Sequence, residues 1–149
     1  MMPANRRPPL EPPSPLPSSE DDAGVQRLMA EYCRRVDDGD FSDAAELFVV
    51  DGVFEYGAER HIGRQALVAF LEVSQVPERR GRHSCGYSVV DFDDGGAVHA
   101  VTDFVFLGRA AGTWFIKFVG RYHDTLRRDV DRWRFVERRV EIVDAGIDM

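Results

Sequence analysis

The chain has 149 residues, 44% of them hydrophobic, and a formal net charge of −7. That length suits one hydrophobic core. The acidic balance argues against nucleic-acid binding, which needs a concentrated basic face, and no segment approaches the ~18 apolar residues of a membrane-spanning helix.

Seven of the eight prolines fall in "MMPANRRPPLEPPSPLP", residues 1–17. Such a stretch buries too little apolar surface to offset its ordering entropy, so residues 1–21 are expected to form a disordered tail and residues 22–149 a single domain. No apolar stretch follows Arg6-Arg7, so an export signal is not expected. Cys33 and Cys85 are the only cysteines. Two thiols make neither a disulfide framework nor a four-cysteine zinc site, and a reducing cytoplasmic location is expected.

From Val25 the apolar residues Leu28, Met29, Tyr32, Cys33 and Val36 recur at helical spacing, which predicts an amphipathic first helix. Gly39 is placed to end it in the left-handed conformation. At about 100° per residue, Asp37 falls at the edge of the apolar stripe, whereas Asp38 falls among Arg27, Glu31 and Arg35 on the wet side. Asp40 is expected to cap a second short helix whose buried face is "AAELF". "DGVFEYG" (51–57) reads as a turn and short strand, "GRQALVAFLEVSQ" (63–75) as a third helix and "PERRGR" (77–82) as a polar loop.

Four strand-like runs follow, "HSCGYSVVDF", "AVHAVTDFVFL", "TWFIKFVGRYHDTLR" and "RWRFVERRVEIV", separated by short polar or glycine-rich joints. The last of them overlaps the densest basic run, 127–139, where Asp129, Asp131 and Glu137 are interleaved, and this reads as a solvated strand face. Three helices before an antiparallel meander predict an α+β fold with the helices packed on one face of a strongly curved sheet. Strands this long must bend, with Gly120 a candidate bulge, and a bent sheet closed by helices forms a cone with a pocket.

The "DDGG" turn pairs positions summing to 189, which sets His83 opposite Phe106, Cys85 opposite Phe104 and Tyr87 opposite Thr102 on one face. The next joint allows more than one register. A three-residue loop adds Trp114, Ile116, Phe118 and Tyr122 to that face and sends His99, Asp103, Lys117 and His123 to the other; a one-residue slip reverses this. His83 then opens a strand facing an aromatic cavity. Either His83 is a buried histidine bonded to a backbone carbonyl and Asp37 bonds a backbone amide, or the two form a base and its orienting carboxylate.

The stretches "LMAEYCRRVDDGDFSDAAELFVVDGVFEYG", "IGRQALVAFL", "RHSCGYSVVDF" and "DRWRFVERRVEI" resemble the SnoaL-like family of the nuclear transport factor 2-like superfamily, over residues 24–143. That superfamily of cone-shaped α+β proteins includes scytalone dehydratase, ketosteroid isomerase, polyketide cyclases, limonene epoxide hydrolase and the small subunits of ring-hydroxylating dioxygenases. In the dehydratase-like branch an aspartate ending the first helix pairs with a histidine opening the strand after the third. Asp37 and His83 match those places, and Tyr56 matches a tyrosine of the first short strand. Three positions depart: Val36 stands where the dehydratase has a tyrosine, Ala100 to Thr102 hold no second histidine, and Tyr122 stands where it has an asparagine.

The resemblance implies a cofactor-independent proton-transfer enzyme, a dehydratase, isomerase or cyclase acting on a small carbonyl or polyketide-like compound. His83 is then the general base and acid, and Asp37 fixes its tautomer and supports its charged form. Tyr56 or Tyr122 would bond the developing enolate oxygen. Tyr32, Phe104, Phe106, Trp114 and Phe118 complete the expected substrate-binding set for an apolar or aromatic small molecule. The alternative is a non-catalytic ligand-binding or assembly subunit like the dioxygenase small subunits. No metal is expected, because His83, His99, His123 and Asp103 lack close ligand spacing and divide between two faces. Lys117, the only lysine, is expected on the outer face, which disfavours Schiff-base chemistry. A homodimer is expected through the outer sheet face, where Val101, Val105, Phe115 and Val119 are too apolar to remain wet.

Overall fold

The structure, a computed structural model, describes residues 17–144. Residues 1–16 of the expected tail lie outside the described residues, and residues 19–21 belong instead to the first turn of α1 (Ser19–Asp38). Ser18 caps that helix by accepting a hydrogen bond from the Asp21 N–H at 3.1 Å. Glu20, Asp21 and Asp22 then set negative charge at the positive end of the helix dipole. The expected stripe, Val25 to Val36, is buried, and Asp37 is buried with it. Gly39 ends the helix at φ 82°. Its N–H and that of Asp40 donate to the carbonyls of Val36 and Arg35, which satisfies two otherwise orphaned acceptors.

Asp40 does not cap α2 (Phe41–Ala45) with its side chain, contrary to expectation. Its backbone (φ −85°, ψ 64°) lies away from the extended conformation that aims a capping side chain, and only its carbonyl serves the helix, accepting from Ala44 N–H.

After α2 come β1 (Phe48–Tyr56), β2 (Glu59–Ile62), α3 (Arg64–Ser74), a short 3-10 turn (Pro77–Arg79), β3 (Arg82–Cys85), β4 (Val89–Phe92), β5 (Val98–Ala110), β6 (Thr113–Asp129) and β7 (Arg132–Asp144). They form one sheet of order β2-β1-β7-β6-β5-β3, with β4 also on β5. Every pair is antiparallel except β1 with β7. The result is the expected cone-shaped α+β fold, helices on the concave face of a curved sheet. No described helix is long and apolar enough to cross a membrane.

His83 pairs with Phe106 and Cys85 with Phe104, the expected partners, although the turn itself closes as an odd loop, Asp93 N–H donating to the Ala97 carbonyl. Tyr87 does not continue the pattern. The pairing resumes at Val89 with Val101, one residue out of step, and Ser88 takes the inward place, its hydroxyl 2.6 Å from that of Thr102. Tyr87 is exposed and its hydroxyl donates to the Asp22 carboxylate.

A second slip lies between β5 and β6. Phe106 pairs with Phe118 but Leu107 pairs with Ile116, so Lys117 is an extra, unpaired residue. A bulge reverses the faces of everything beyond it. Phe118 and Tyr122 keep the concave face, whereas Trp114 and Ile116, expected there, stand opposite Arg109 and Leu107 on the convex side and are exposed. Phe115, expected outside, lies over Gly108 on the Phe106 side. At Gly120 the register also shifts, but the extra residue is Val143 on β7.

The basic run is not uniformly solvated. Arg138 is wholly buried, its Nε and Nη2 2.8 and 2.9 Å from the two carboxylate oxygens of buried Asp124. Its guanidinium lies 3.7, 4.2 and 4.3 Å from the ring centroids of Tyr122, Phe135 and Tyr32. A planar, weakly hydrated cation tolerates such a site because the carboxylate and the ring faces replace water.

Candidate active site

Two local features bring Asp37 to His83. The helical phase of α1 turns Asp37 inward at its last buried position, and the β3–β5 register turns His83 toward Phe106. Asp37 Oδ2 accepts the His83 backbone N–H at 2.8 Å, and Oδ1 lies 2.6 Å from Nδ1 of the ring. Both side chains are buried, 5% and 8% exposed. A hydrogen bond to a charged group contributes ~1.5–3 kcal/mol, which outweighs the ~0.3–1 kcal/mol cost of a carboxylate at a helix C-terminus. Asp38, one residue on, is half exposed and pairs with Arg82 at 2.8 Å.

With Nδ1 held by Asp37, the nitrogen of His83 left for a ligand is Nε2. The imidazole lies against Phe106, centroids 4.6 Å apart, and borders a cavity of about 350 Å³. Tyr32, Tyr56, Phe104, Phe106, Phe118 and Tyr122, six of the residues expected to bind substrate, line it. Trp114 does not, because the bulge turns it to the convex side, where it lies beside Arg109. The rings are ordered: Phe104 stacks on Tyr122 at 4.1 Å and Phe106 on Phe118 at 5.0 Å.

Several lining residues escaped the sequence reading. Phe54 and Phe70 face each other across β1 and α3, 5.4 Å apart, and Ser74, Gln75 and Arg79 follow along the end of α3 and the next turn. The apolar face of α3 signalled Phe70, but nothing local signalled that this face closes the cone. Lys117, expected outside, borders the cavity with its ammonium 5.9 Å from the Phe106 centroid. An unpaired bulge residue was the signal, and it is visible only once both strands are aligned.

The three phenols keep their protons. Burial raises the pKa of Tyr32 and of Tyr122, and burial followed by Glu59 raises that of Tyr56. A protonated phenol is a hydrogen-bond donor, the form that a developing oxyanion needs. Among the described residues no group of three or more His, Cys, Asp or Glu is arranged to hold a metal ion. His99 and His123 lie outside the cavity beside Asp93 and Glu141.

A curved sheet whose helices close over a cavity is the fold of the nuclear transport factor 2-like class. Residues 17–139 match the SnoaL-like domain, and the chain belongs to that family. Among proteins of curated function no sequence matches the chain. Solved structures do. Aln2 from a Streptomyces species is 25% identical with a TM-score of 0.78, over 86% of this chain and 94% of that one. A form of Rv3472 from Mycobacterium tuberculosis, described as of unknown function, is 27% identical with a TM-score of 0.75, over 82% and 71%. A Catenulispora acidiphila protein in complex with S-DNPA is 28% identical with a TM-score of 0.71, over 80% and 91%.

Proposed function

We propose that this SnoaL-like chain is a cofactor-independent proton-transfer enzyme for a small aromatic or polyketide-like carbonyl compound. The observation that carries the reading is the two-point grip of Asp37 on His83 at the edge of the aromatic cavity. A buried structural histidine has both ring nitrogens partnered; here the carboxylate holds Nδ1, and a general base needs such a fixed tautomer and a free nitrogen for its substrate. His83 Nε2 removes a proton from the carbon beside the substrate carbonyl. The electron pair moves onto the carbonyl oxygen, which the Tyr56 or Tyr122 hydroxyl meets as donor. The imidazolium, stabilised by Asp37, then returns the proton to a departing hydroxyl or to a second carbon. The first outcome is dehydration, the second isomerisation; attack of the enolate on another carbonyl is cyclisation.

Further support comes from the ligand of a relative: a 28% identical structure holds S-DNPA. The same reading includes a two-fold homodimer through the convex sheet face. Trp114 and Ile116 are exposed there, beside Val105 and Val119.

The test is hydrogen exchange. Purified protein is incubated in deuterated water with S-DNPA and a panel of hydroxylated naphthalene-type carbonyl compounds, and C–H signals are followed by NMR. Exchange or conversion that His83→Gln abolishes is the expected result. Tight binding with neither, across the panel, would assign the alternative, a non-catalytic ligand-binding or assembly subunit.

A further inference from the structure

Cys33 and Cys85 are absorbed by nothing in the proposed chemistry, yet their sulfurs lie 3.0 Å apart, both as free thiols. Cys33 lies one helical turn before Asp37 on α1, and Cys85 lies two residues beyond His83 on the same face of β3. The thiol pair therefore spans the same two backbone segments as the Asp37–His83 contact, 46 residues apart in sequence for the dyad and 52 for the thiols. We infer that Cys33 and Cys85 are a reversible cross-linking site, oxidised by a low-molecular-weight disulfide to a bond that staples α1 to β3 beside the dyad.

Three observations support it. First, a disulfide needs its sulfurs at ~2.05 Å, so closure asks for a movement of about 1 Å, within the reach of side-chain rotation. Second, the pair is not sealed. A surface cleft lined by Cys33, Cys85, Asp37, His83, Arg34 and Arg82 opens onto the pair and gives a small disulfide access to the sulfurs. Third, the two thiols differ. Cys33 is 7% exposed and Cys85 half-buried. The contact with Cys33, helped by the Arg138 charge, lowers the pKa of Cys85, while the same contact and burial raise that of Cys33. Cys85, the more accessible sulfur, is the attacking one and Cys33 the resolving one.

The exchange balances. Cys85 thiolate attacks one sulfur of the small disulfide, whose S–S bond breaks and releases a thiolate that takes up the Cys85 proton. Cys33 then loses its proton and attacks Cys85 Sγ, expelling the second small thiolate, which is protonated in turn. The two protein thiols are oxidised to one disulfide, and the small disulfide is reduced to two thiols.

The experiment uses the full chain, reduced and desalted, then equilibrated with oxidised and reduced glutathione, quenched in acid and alkylated. Intact mass should fall by two hydrogen atoms with no alkylation, a peptide map should link residues 33 and 85, and dithiothreitol should reverse both. Cys33→Ser should stop at one glutathione adduct on Cys85, and Cys85→Ser should acquire none on Cys33. The melting midpoint of the oxidised wild type should rise by several degrees, as expected for a link that closes a long loop. Two freely alkylated thiols, a wild-type chain that stops at the glutathione adduct, or cross-linked dimers would overturn the inference. So would a lower midpoint after oxidation, since the bond would then form at the expense of the native α1–β3 packing. None of these readouts depends on catalytic activity.

Discussion

Asp37 holds His83 at two points, accepting the backbone N–H at 2.8 Å and approaching ring Nδ1 to 2.6 Å with its other oxygen. The carboxylate thus anchors both the start of β3 and the orientation of the imidazole. Removing either partner should have separable effects. His83→Gln should abolish turnover with the circular dichroism spectrum unchanged. Asp37→Asn keeps shape and one accepting oxygen but presents a donor at the other contact, so turnover should fall ~10²–10⁴-fold and stability by ~1–3 kcal/mol. Asp38→Asn breaks only the exposed pair with Arg82, worth at most ~1 kcal/mol, and its rate should match wild type. Equal rates for the Asp37 and Asp38 variants would refute the inward phase assigned to Asp37.

The buried pair of Arg138 and Asp124 makes a second test. Either partner alone would leave an uncompensated charge under the tyrosines, so Arg138→Met and Asp124→Leu should each cost ~3–5 kcal/mol in urea unfolding. The double variant should recover most of that loss, because two apolar side chains need no solvation. Additive losses would show that the stacking of Arg138 on Tyr32, Tyr122 and Phe135 matters more than the charge pair.

Gly120 sits beneath Phe104, opposite it across β5 and β6. A Cβ there would collide with the Phe104 ring, which is stacked on Tyr122. Gly120→Ala should therefore push Phe104 into the cavity, destabilise by ~1–3 kcal/mol and weaken binding of aromatic ligands. Calorimetric titration with S-DNPA, alongside a denaturation curve, measures both. Unchanged affinity would mean that Phe104 does not shape the ligand site.

Self-association should depend on the convex face. Light scattering at micromolar concentration should give about twice the 16.9 kDa chain mass, and Ile116→Glu should return it to one chain by burying a charge in the interface. A wild-type mass of one chain rules the dimer out. A dimer that survives Ile116→Glu would locate the contact elsewhere.

The sequence by itself determined what short-range periodicity controls. The stripe of α1 distinguishes Asp37 from Asp38, because helical phase is a local property that six apolar residues fix together. The pairing of His83 with Phe106 is expected from an even turn, but the joint closes from Asp93 to Ala97 as an odd loop that sets β4 one residue out of step, and the irregular stretch between Cys85 and Val89 restores the expected partners. The order of helices and strands predicts the fold class, and the family resemblance supplied Tyr56. Tertiary structure alone decided the rest. A single unpaired residue, Lys117, moves Trp114 out of the cavity and brings the lysine to its edge, because a bulge reverses every side chain beyond it and leaves no mark in composition. The parallel contact of β1 with β7 and the burial of Arg138 join residues far apart in the chain, and the charge of Arg138 reads as solvent-facing until Asp124 and three aromatic rings surround it. The meeting of Cys33 with Cys85 likewise depends on α1 docking against β3, since periodicity reports which face a residue takes and only packing decides what that face meets.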